Sequence, residues 1–251
     1  METGRPIVLS IAGLDPSTGA GLLADIKTFE QHKVYGLGIS TAQTLQTEND
    51  FFTIRWEEEK DILQSLETML LHYNVSAVKI GIVENIGVLN KIVSFIHQKN
   101  EGIKIVVDTV IKSSSGFNFW NEKMNEHLLF KTLSKVFLIT PNYNEAMQLL
   151  PSTNAKAAAQ QLAMHCNVLL KGGHNNEEPG VDYLYKKKEV IKLEATSTEV
   201  SPKHGSGCVL SSSIAANLAL GFGLVDACKK SKEYIEHFLK SNKTLLGYHH
   251  V

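Results

Sequence analysis

The sequence predicts an α/β protein in which helices cover both faces of a central, mostly parallel β-sheet. Short apolar segments of strand length alternate with longer segments whose apolar residues recur at helical spacing. The strand segments are apolar throughout, which is typical of strands buried on both faces of a parallel sheet. The 251-residue length allows one large α/β domain or two small ones, and no linker or internal repeat divides the chain. We therefore expect a parallel sheet covered by helices on both faces.

The individual elements follow from the residues that begin and end them. The segment EEEKDILQSLETMLLHY has acidic residues in its first turn, which suit the helix dipole, and apolar residues at helical spacing. The strand IKIVVDTV is apolar up to Asp108, Pro141 halts the strand KVFLITP, and two glycines stop NVLLKGG. Further strands are expected at PIVLSIA, GLGIST and SAVKIGI, and a hairpin at VDYLYKKKEVIKLEA. Further helices are expected at about Ala20–His32, in IGVLNKIVSFIHQK, NEAMQLL and AKAAAQQLAMH, and at about Cys208–Leu220 and Leu224–Leu245.

Composition narrows the class of protein. Hydrophobic residues make up 43% of the chain and charged residues 20%, which is typical of an ordinary globular protein. The net charge of -1 argues against a nucleic acid or an anionic membrane as partner, because both favour basic surfaces. No apolar run approaches the roughly 20 residues that span a bilayer, and the N-terminal segment lacks the long apolar core of a signal peptide. We therefore expect a cytoplasmic protein.

The three cysteines have different surroundings. Their odd number and the lack of CxxC pairs argue against a disulfide framework and against a zinc site. Cys166 and Cys228 lie in apolar helical segments and are predicted to be small core residues. Cys208 stands directly behind Gly-Ser-Gly where a helical pattern begins. It could be a nucleophile, a metal ligand, a general base or a buried residue.

The segment HGSGC predicts an anion site made of backbone at this helix start. Gly205 and Gly207 permit positive φ angles and the close approach of a ligand, and the first N–H groups of a helix have no internal partner. The dipole there favours negative charge and would lower the pKa of the Cys208 thiol. The alternative is a glycine-rich helix start with an inert cysteine. Apolar residues every four positions predict the buried face of the helix: Leu210, Ile214 and Leu218.

Polar residues and glycines gather where the predicted strands end. In parallel α/β sheets, ligands bind beyond the carboxyl ends of the strands, so these residues mark the expected site. They are Gly13, Asp15, Gln46, Asp108, Asn142, Lys171, Gly172 and Gly173.

Three motifs at these positions have two interpretations each. AGLDPSTGAGLLADIKTF matches neither GxGxxG nor GxxxxGK[ST]; it is a plain turn or a ligand loop, and Asp25 in the following helix is solvated or binds a polar ligand. In TPNYNEA, Asn142 and Glu145 could hold Mg²⁺, often through water, or Asn142 or Asn144 could cap the helix. In LLKGGH, Lys171 could pair with a phosphate or be solvated in a turn.

In chain order, the segments SIAGLDPSTGAGLLADIKTF, KIGI, VVDTV, LITPNYNEA, LLKGGH and HGSGC closely resemble the hydroxymethylpyrimidine/phosphomethylpyrimidine kinases of thiamine biosynthesis. The resemblance extends from about Ile7 to Leu245. This family belongs to the ribokinase-like superfamily, so the resemblance implies a three-layer α/β/α sandwich in a single ribokinase-like domain spanning residues 1–251. It further implies the use of ATP with Mg²⁺, and a homodimer. It also implies phosphorylation of 4-amino-5-hydroxymethyl-2-methylpyrimidine and then of its monophosphate.

The resemblance assigns roles to residues that match the family motifs. The residues that match the pyrimidine site of the family are Gly13, Asp25, Gln46 and Ile82. Ile82 stands where the family usually has a methionine against the ring. Nucleotide, phosphate and Mg²⁺ would be held by Asn142, Glu145, Lys171 and Gly173, the metal partly through water. The anion hole and the catalytic base would be supplied by Gly205, Ser206, Gly207 and Cys208, with Lys171 beside the transferring phosphates.

The chain departs from the family pattern at several positions. Ser206 replaces a common threonine and keeps a hydroxyl, and Thr18 stands where a glycine is common. Lys203 stands where threonine is usual, which would alter nucleotide contacts, and the short loop after His174 would reduce any lid. One alternative is a pyridoxal or pyridoxine kinase of the same superfamily. A non-catalytic pyrimidine-sensing module is disfavoured, because the anion hole and Glu145 are both present.

Overall fold

The computed structural model describes residues 4–112, 116–120, 124–175, 177–196 and 200–250. Its strands are β1 Ile7–Leu14, β2 Tyr35–Gln46, β3 Phe51–Trp56, β4 Val75–Ile80, β5 Lys104–Val107, β6 Leu138–Ile139, β7 Asn167–Leu170, β8 Asp182–Lys186 and β9 Glu189–Leu193. Its helices are α1 Gly21–Gln31, α2 Glu59–His72, α3 Ile86–Lys99, α4 Glu126–Leu133, α5 Tyr143–Leu149, α6 Ala155–Leu162, α7 Ser206–Ala219 and α8 Leu224–Lys240, with a 3₁₀ turn at Gly172–His174.

One sheet runs through this part of the chain in the order β3-β2-β1-β4-β5-β6-β7-β8-β9. The six central strands are parallel to one another: β2, β1, β4, β5, β6 and β7. Antiparallel strands extend both edges, β3 beside β2 and the pair β8 and β9 beside β7. The predicted mostly parallel sheet and the β8–β9 hairpin are confirmed. In the described part of the chain, no helix has both the length and the apolar character to cross a membrane.

Two separate apolar cores lie on the two faces of the sheet. Helices α2 to α6 pack on one face with Leu9 and Ile11 of β1, whereas α1, α7 and α8 pack on the other face with Val8. Successive strand residues point to opposite faces, so strands that are apolar throughout feed both cores. The three-layer α/β/α arrangement expected from the sequence is therefore confirmed.

One strand was not predicted, and the predicted end of one helix is wrong. The edge strand β3 was not expected, because its residues are only partly buried and it pairs on one side alone. Helix α8 ends at Lys240 rather than at Leu245. The helical pattern continues past this point, but the carbonyl groups of Asn242 and Thr244 accept hydrogen bonds from the Lys203 side chain instead of continuing the helix.

Helix α7 is buried almost all round rather than on one face. The predicted apolar face is buried, but so is every residue from Val209 to Leu218. The helix lies between α1 and α8 against the sheet, and its small residues allow this close packing. Its buried serines bond to helix carbonyls or to other side chains, as Ser211 does to the carbonyl of Gly207 and Ser213 does to Ser231.

A buried ion pair joins four of these elements. Lys79 of β4 donates to both carboxylate oxygens of Asp25 of α1, at 2.9 and 2.8 Å, and both side chains are fully buried. The hydroxyls of Ser10 in β1 and Ser212 in α7 donate to the same carboxylate at 2.6 and 2.7 Å. Burial raises the pKa of Asp25, although Lys79 and the two hydroxyls oppose this. Each charge therefore depends on the other for its place in the core.

We expect Lys79→Met to lower the free energy of unfolding by about 3–5 kcal/mol, because it leaves a buried carboxylate without its counter-ion. Urea unfolding followed by circular dichroism measures the loss. The matched control is the double variant Lys79→Met/Asp25→Asn, which removes both charges and should recover part of the loss. The prediction would be contradicted if Lys79→Met were as stable as the double variant or more stable.

Candidate active site at the carboxyl ends of the strands

A cavity of about 1010 Å³ opens at the carboxyl ends of the parallel strands. The end of β2 and segments that follow β1, β4, β5, β6 and β7 line it, together with the start of α7. The structure brings together all but one of the residues to which the family resemblance gave a role: Gly13, Gln46, Ile82, Asn142, Glu145, Lys171, Gly173, Gly205, Ser206, Gly207 and Cys208. Asp25 does not line the cavity.

The start of α7 is held in place by close backbone contacts. Gly205 has a φ of 74°, and a Cβ atom there would lie 2.0 Å from the carbonyl oxygen of Gly19. Only glycine fits this approach between the two glycine-rich loops. A Cβ at Gly207 would lie 3.3 Å from Lys171 Nζ and 3.6 Å from Asp108 Oδ2. The first N–H groups of α7, a lysine and a carboxylate therefore meet at one point of the cavity.

Lys171 and two acids form the charged centre of the cavity. Lys171 Nζ lies 2.9 Å from Asp108 Oδ1 and 3.9 Å from Glu145 Oε2. Burial by itself would raise the pKa of Asp108, but Lys171 and Lys79 outweigh it and hold that pKa below its usual value. Asp108 Oδ2 is buried and has no hydrogen-bond partner among the described residues. The sequence marked Asp108 as a strand end, but assigned it no role.

Asn142 and Glu145 form a capping box at the start of α5. Asn142 Oδ1 accepts from the Glu145 backbone N–H at 2.9 Å, and Glu145 Oε2 accepts from the Asn142 backbone N–H at 2.8 Å. The capping alternative is therefore correct for Asn142 and wrong for Asn144. Burial raises the pKa of Glu145 to about 7, although Lys171 opposes this. The cap leaves the carboxyl group of Glu145 beside Lys171 at the cavity.

These acids suit a cation that shares its ligands with water and phosphate. Mg²⁺ commonly binds one or two carboxylates and completes its octahedron with waters and substrate phosphates. Asp108 Oδ2 is an unpaired acceptor, and Glu145 supplies a second carboxyl group beside the same lysine. Among the described residues, no group of three or more His, Cys, Asp or Glu side chains forms a metal cage. The donor set therefore fits Mg²⁺ bound together with a phosphate, and does not fit a closed structural site.

The Cys208 thiol has a raised pKa rather than the lowered value expected at a helix start. Burial raises that pKa to about 11, and the nearby Lys79 ammonium only partly opposes this. The prediction of a lowered pKa was wrong, because loss of solvation outweighs the helix dipole at this position. Burial likewise raises the pKa values of Cys166 and Cys228 to about 12. Cys228 is a buried core residue, as predicted, whereas Cys166 is half-buried and packs against the other core.

Asp25 lies beneath the cavity and not in its wall. Its carboxylate is fully buried and saturated by Lys79, Ser10 and Ser212. A ligand in the cavity cannot touch it in this conformation, so the expected direct contact with a pyrimidine has to be revised. Lys79 lines the cavity in its place. The signal that would have found Lys79 is a lysine inside the apolar strand SAVKIGI.

Asp15 joins the two glycine-rich loops. Asp15 Oδ2 lies 2.8 Å from His204 Nε2. The same oxygen accepts a hydrogen bond from the Ala20 backbone N–H at 2.9 Å. Burial would raise the pKa of Asp15, but hydrogen bonds from His204 and Ser17 lower it below the usual value. Thr18 in this loop has a φ of 62°, a left-handed conformation that glycine adopts more readily than other residues.

One end of the cavity combines an amide with apolar walls. Gln46 lies at the end of β2, and its Nε2 donates to Thr44 Oγ1 at 2.9 Å. Ile82 packs over Gly13, where a Cβ atom would meet Ile82 Cδ1 at 2.4 Å. Phe119 also lines this end. The combination suits a flat heteroaromatic ring with polar substituents, since an amide offers both a donor and an acceptor.

The opposite end lies beside β8, β9 and α8. Lys232 pairs with Asp182 at 2.8 Å there, and Ile235 and Leu239 supply apolar surface. Lys203 lines the same end, and its side chain is buried. The loop after His174 includes residue 176, which lies outside the described residues, so the reduced lid stays a prediction.

Comparisons with known proteins agree on the family. The family model described as phosphomethylpyrimidine kinase matches residues 15–251. A hydroxymethylpyrimidine/phosphomethylpyrimidine kinase of Aquifex aeolicus is 32% identical over 246 residues, which are 95% of this chain and 96% of that protein. The crystal structure of a phosphomethylpyrimidine kinase from Clostridium difficile is 31% identical, with a TM-score of 0.78 and coverage of 92% of this chain and 98% of that one. The Staphylococcus aureus pyridoxal kinase in complex with ADP is 26% identical, with a TM-score of 0.82 and coverage of 94% and 89%.

We expect Glu145→Gln to change how stability depends on pH. The raised pKa of about 7 means that the folded protein binds this proton more tightly than the unfolded chain, whose carboxyl titrates near its ordinary value of 4.5. Glu145 therefore lowers the free energy of unfolding as pH rises through that window. Glutamine keeps the capping box but carries no charge. Urea unfolding of both proteins at about pH 5 and about pH 8 should show the variant gaining stability relative to wild type. The same difference at both pH values would refute this account.

Proposed function

Because the chain belongs to the phosphomethylpyrimidine kinase family, we propose that it phosphorylates 4-amino-5-hydroxymethyl-2-methylpyrimidine and then the resulting monophosphate, with ATP as donor. The observation that carries the proposal is the continuous cavity, which has a ring-sized apolar end, a charged centre and a second end beside α8. A pyrimidine at Gln46 and a nucleotide beside α8 would place their reacting groups near Lys171 and the start of α7.

The pyrimidine end would hold the substrate ring. Gln46 can donate to and accept from an aminopyrimidine edge, and Ile82 and Phe119 can cover its faces. Gly13 keeps this end open, because a side chain there would occupy the space of Ile82. A ring bound in this way would direct its hydroxymethyl group towards the centre of the cavity, where Cys208 lies.

The centre of the cavity would stabilise the phosphoryl group in transit. Phosphoryl transfer passes through a loose transition state, so positioning and charge neutralisation contribute most of the catalysis. The N–H groups of Gly205–Cys208 would donate to the equatorial oxygens, and Lys171 would neutralise their charge. Asp108 and Glu145 would hold Mg²⁺, which when bound neutralises the nucleotide phosphates. Gly173 and Asn142 line the wall on the side of the nucleotide.

Cys208 would act on the proton of the substrate hydroxyl. The hydroxyl oxygen forms the new bond to the γ-phosphorus, the bond to the β-phosphate oxygen breaks, and ADP leaves. The proton passes to the Cys208 thiolate. Because burial raises the thiol pKa to about 11, the thiolate is a minor form at neutral pH, and its population rises with pH. Lys79 in the cavity wall would support this thiolate, since its charge opposes the effect of burial on the thiol pKa.

The proposal also covers the oligomeric state and the cellular location of the protein. The resemblance to the family supports a homodimer in the cytoplasm. The net charge of -1 gives no support for a nucleic-acid partner. A vitamin B6 kinase is the second candidate, because pyridoxal kinases share this fold at TM-scores up to 0.83. Pyridoxal also carries a hydroxymethyl group on a heteroaromatic ring, so the same cavity could accept it.

Substrate identity is tested by ATP consumption with purified protein and Mg²⁺. We expect turnover of hydroxymethylpyrimidine and of its monophosphate. Gln46→Ala is the matched variant, because it should raise the KM for the pyrimidine and leave the KM for ATP unchanged. Turnover of pyridoxal alone would move the protein to vitamin B6 salvage. No turnover with any of the three substrates would favour the sensing module.

Removal of the Cys208 thiol tests the proton transfer. We expect Cys208→Ala to lower kcat by roughly 10²–10⁴-fold, the usual contribution of a general base, while ATP still binds. The wild-type kcat should keep rising above neutral pH as the thiolate becomes more populated, and the variant should lose this rise. Cys166→Ala is the control, because that thiol lies outside the cavity lining. Unchanged turnover in Cys208→Ala would remove the base assignment.

A further inference from the structure

The ammonium of Lys203 is held by carbonyl groups from the C-terminal end of the chain. Lys203 Nζ donates to the carbonyl of Asn242 at 2.6 Å and to the carbonyl of Thr244 at 2.7 Å. The backbone N–H of the next residue, His204, donates to the carbonyl of Leu245 at 2.9 Å. Three hydrogen bonds thus join the segment before α7 to residues 242–245.

These carbonyls belong to a compact turn, residues 241–248, which we call the C-terminal turn. Inside it, Asn242 Nδ2 donates to the carbonyl of Leu246 at 2.8 Å, and Asn242 Oδ1 accepts from the Thr244 N–H at 2.9 Å. Ser241 Oγ accepts from the Tyr248 N–H at 2.9 Å. The turn therefore has its own internal hydrogen bonds, and they hold the carbonyls of residues 242 and 244 where Lys203 reaches them.

Lys203 differs from the other buried lysines of the cavity in the groups that its ammonium contacts. Lys79 pairs with Asp25, and Lys232 pairs with Asp182, both at 2.8 Å. Among the described residues, the hydrogen-bond acceptors of Lys203 are neutral carbonyls, and no carboxylate lies within ion-pair distance of it. Its side chain is nevertheless buried, with 6% exposure for the residue, and it lines the cavity. Its positive charge is therefore not cancelled by a neighbouring acid.

The C-terminal turn also touches the loop that supports the anion hole. A Cβ at Gly19 would lie 2.8 Å from Leu246 Cδ2 and 2.7 Å from the ring of His204. Gly19 in turn contacts Gly205, where the φ of 74° sets the direction of the first turn of α7. A shift of the C-terminal turn would therefore be transmitted to the N–H groups at the start of that helix.

We propose that Lys203 is a positioning residue that acts as a built-in monovalent cation, tying the C-terminal turn to the anion hole and adding a positive charge to the nucleotide end. The carbonyl oxygens of Asn242 and Thr244 take the place of two hydration waters of the ammonium, as carbonyl oxygens do for a potassium ion. A covalently attached ammonium fills this site without a free ion. The role rests on the proposed function, because it concerns how the site holds ATP phosphates.

Lys203→Met tests the proposal, because methionine keeps much of the shape and removes the charge. In buffers whose only monovalent cation is tetramethylammonium, we expect kcat to fall roughly 10- to 100-fold, the size of a small misplacement of catalytic groups. The KM for the pyrimidine should stay unchanged. Replacing tetramethylammonium by ammonium or potassium at equal ionic strength should restore most of kcat. The wild type should not respond to this exchange.

The matched control is Lys243→Met, which removes an exposed charge from the same turn and should change neither kcat nor the cation response. Lys203→Thr is the second variant, since a smaller side chain leaves room for a free cation if methionine prevents folding. Thermal unfolding reports whether each variant folds. Loss of activity without rescue by ammonium or potassium in both variants would reduce Lys203 to a structural role and overturn the proposal.

Two further outcomes would also overturn it: full activity of Lys203→Met without added cation, or a several-fold stimulation of the wild type by potassium. Failure of the kinase assignment is distinguishable, because wild-type protein would then turn over none of the substrates. In that case calorimetric binding of ATP to wild type and Lys203→Met, with and without ammonium, tests the same cation role. Equal ATP affinity under all four conditions would then count against Lys203.

Discussion

The buried ion pair between Asp25 and Lys79 is the interaction on which the site depends. It joins α1, β1, β4 and α7 through four hydrogen bonds to one carboxylate. Cys208 lies one helical turn before Ser212 in α7, so the same pair sets both the position of this helix and the charge beneath the thiol. A buried pair of this kind contributes little net stability compared with apolar side chains, but breaking it costs several kcal/mol. The structural result is that α1, β1, β4 and α7 all meet at this one carboxylate.

The cavity wall is built on the same electrostatic principle. Lys171 lies between Asp108 and Glu145, and Lys232 pairs with Asp182, so most buried charges have a partner of opposite sign. Burial alone would lower the pKa of Lys171, but the charges of Asp108 and Glu145 outweigh it and keep this lysine charged. Binding of phosphates and Mg²⁺ would exchange partners within this set and would not introduce isolated charges. Lys203 is the exception, since its acceptors among the described residues are neutral carbonyls.

Glycines at two contacts decide how closely the loops approach. Gly205 lies against Gly19, and Gly207 lies beside Lys171 and Asp108. A side chain at Gly205 would collide with the Gly19 backbone, whereas one at Gly207 would only crowd the Lys171 ammonium. The sequence predicted this helix start as an anion site from its glycines and its free N–H groups, and the Gly19 contact explains why Gly205 is needed. The same sequence could not show that burial at this point would raise the thiol pKa of Cys208.

The sequence by itself determined the layers, the parallel centre of the sheet and the group of residues at the strand ends. These features follow from periodicity, strand composition and connection rules, which are local or general. The tertiary structure alone decided which charges are paired. Asp25 meets Lys79 from 54 positions away, and Lys203 meets carbonyls 39 and 41 positions downstream. The solvation and pKa of a side chain depend on the distant elements packed around it, so Asp25 became part of the supporting core and Cys208 a poorly ionised thiol.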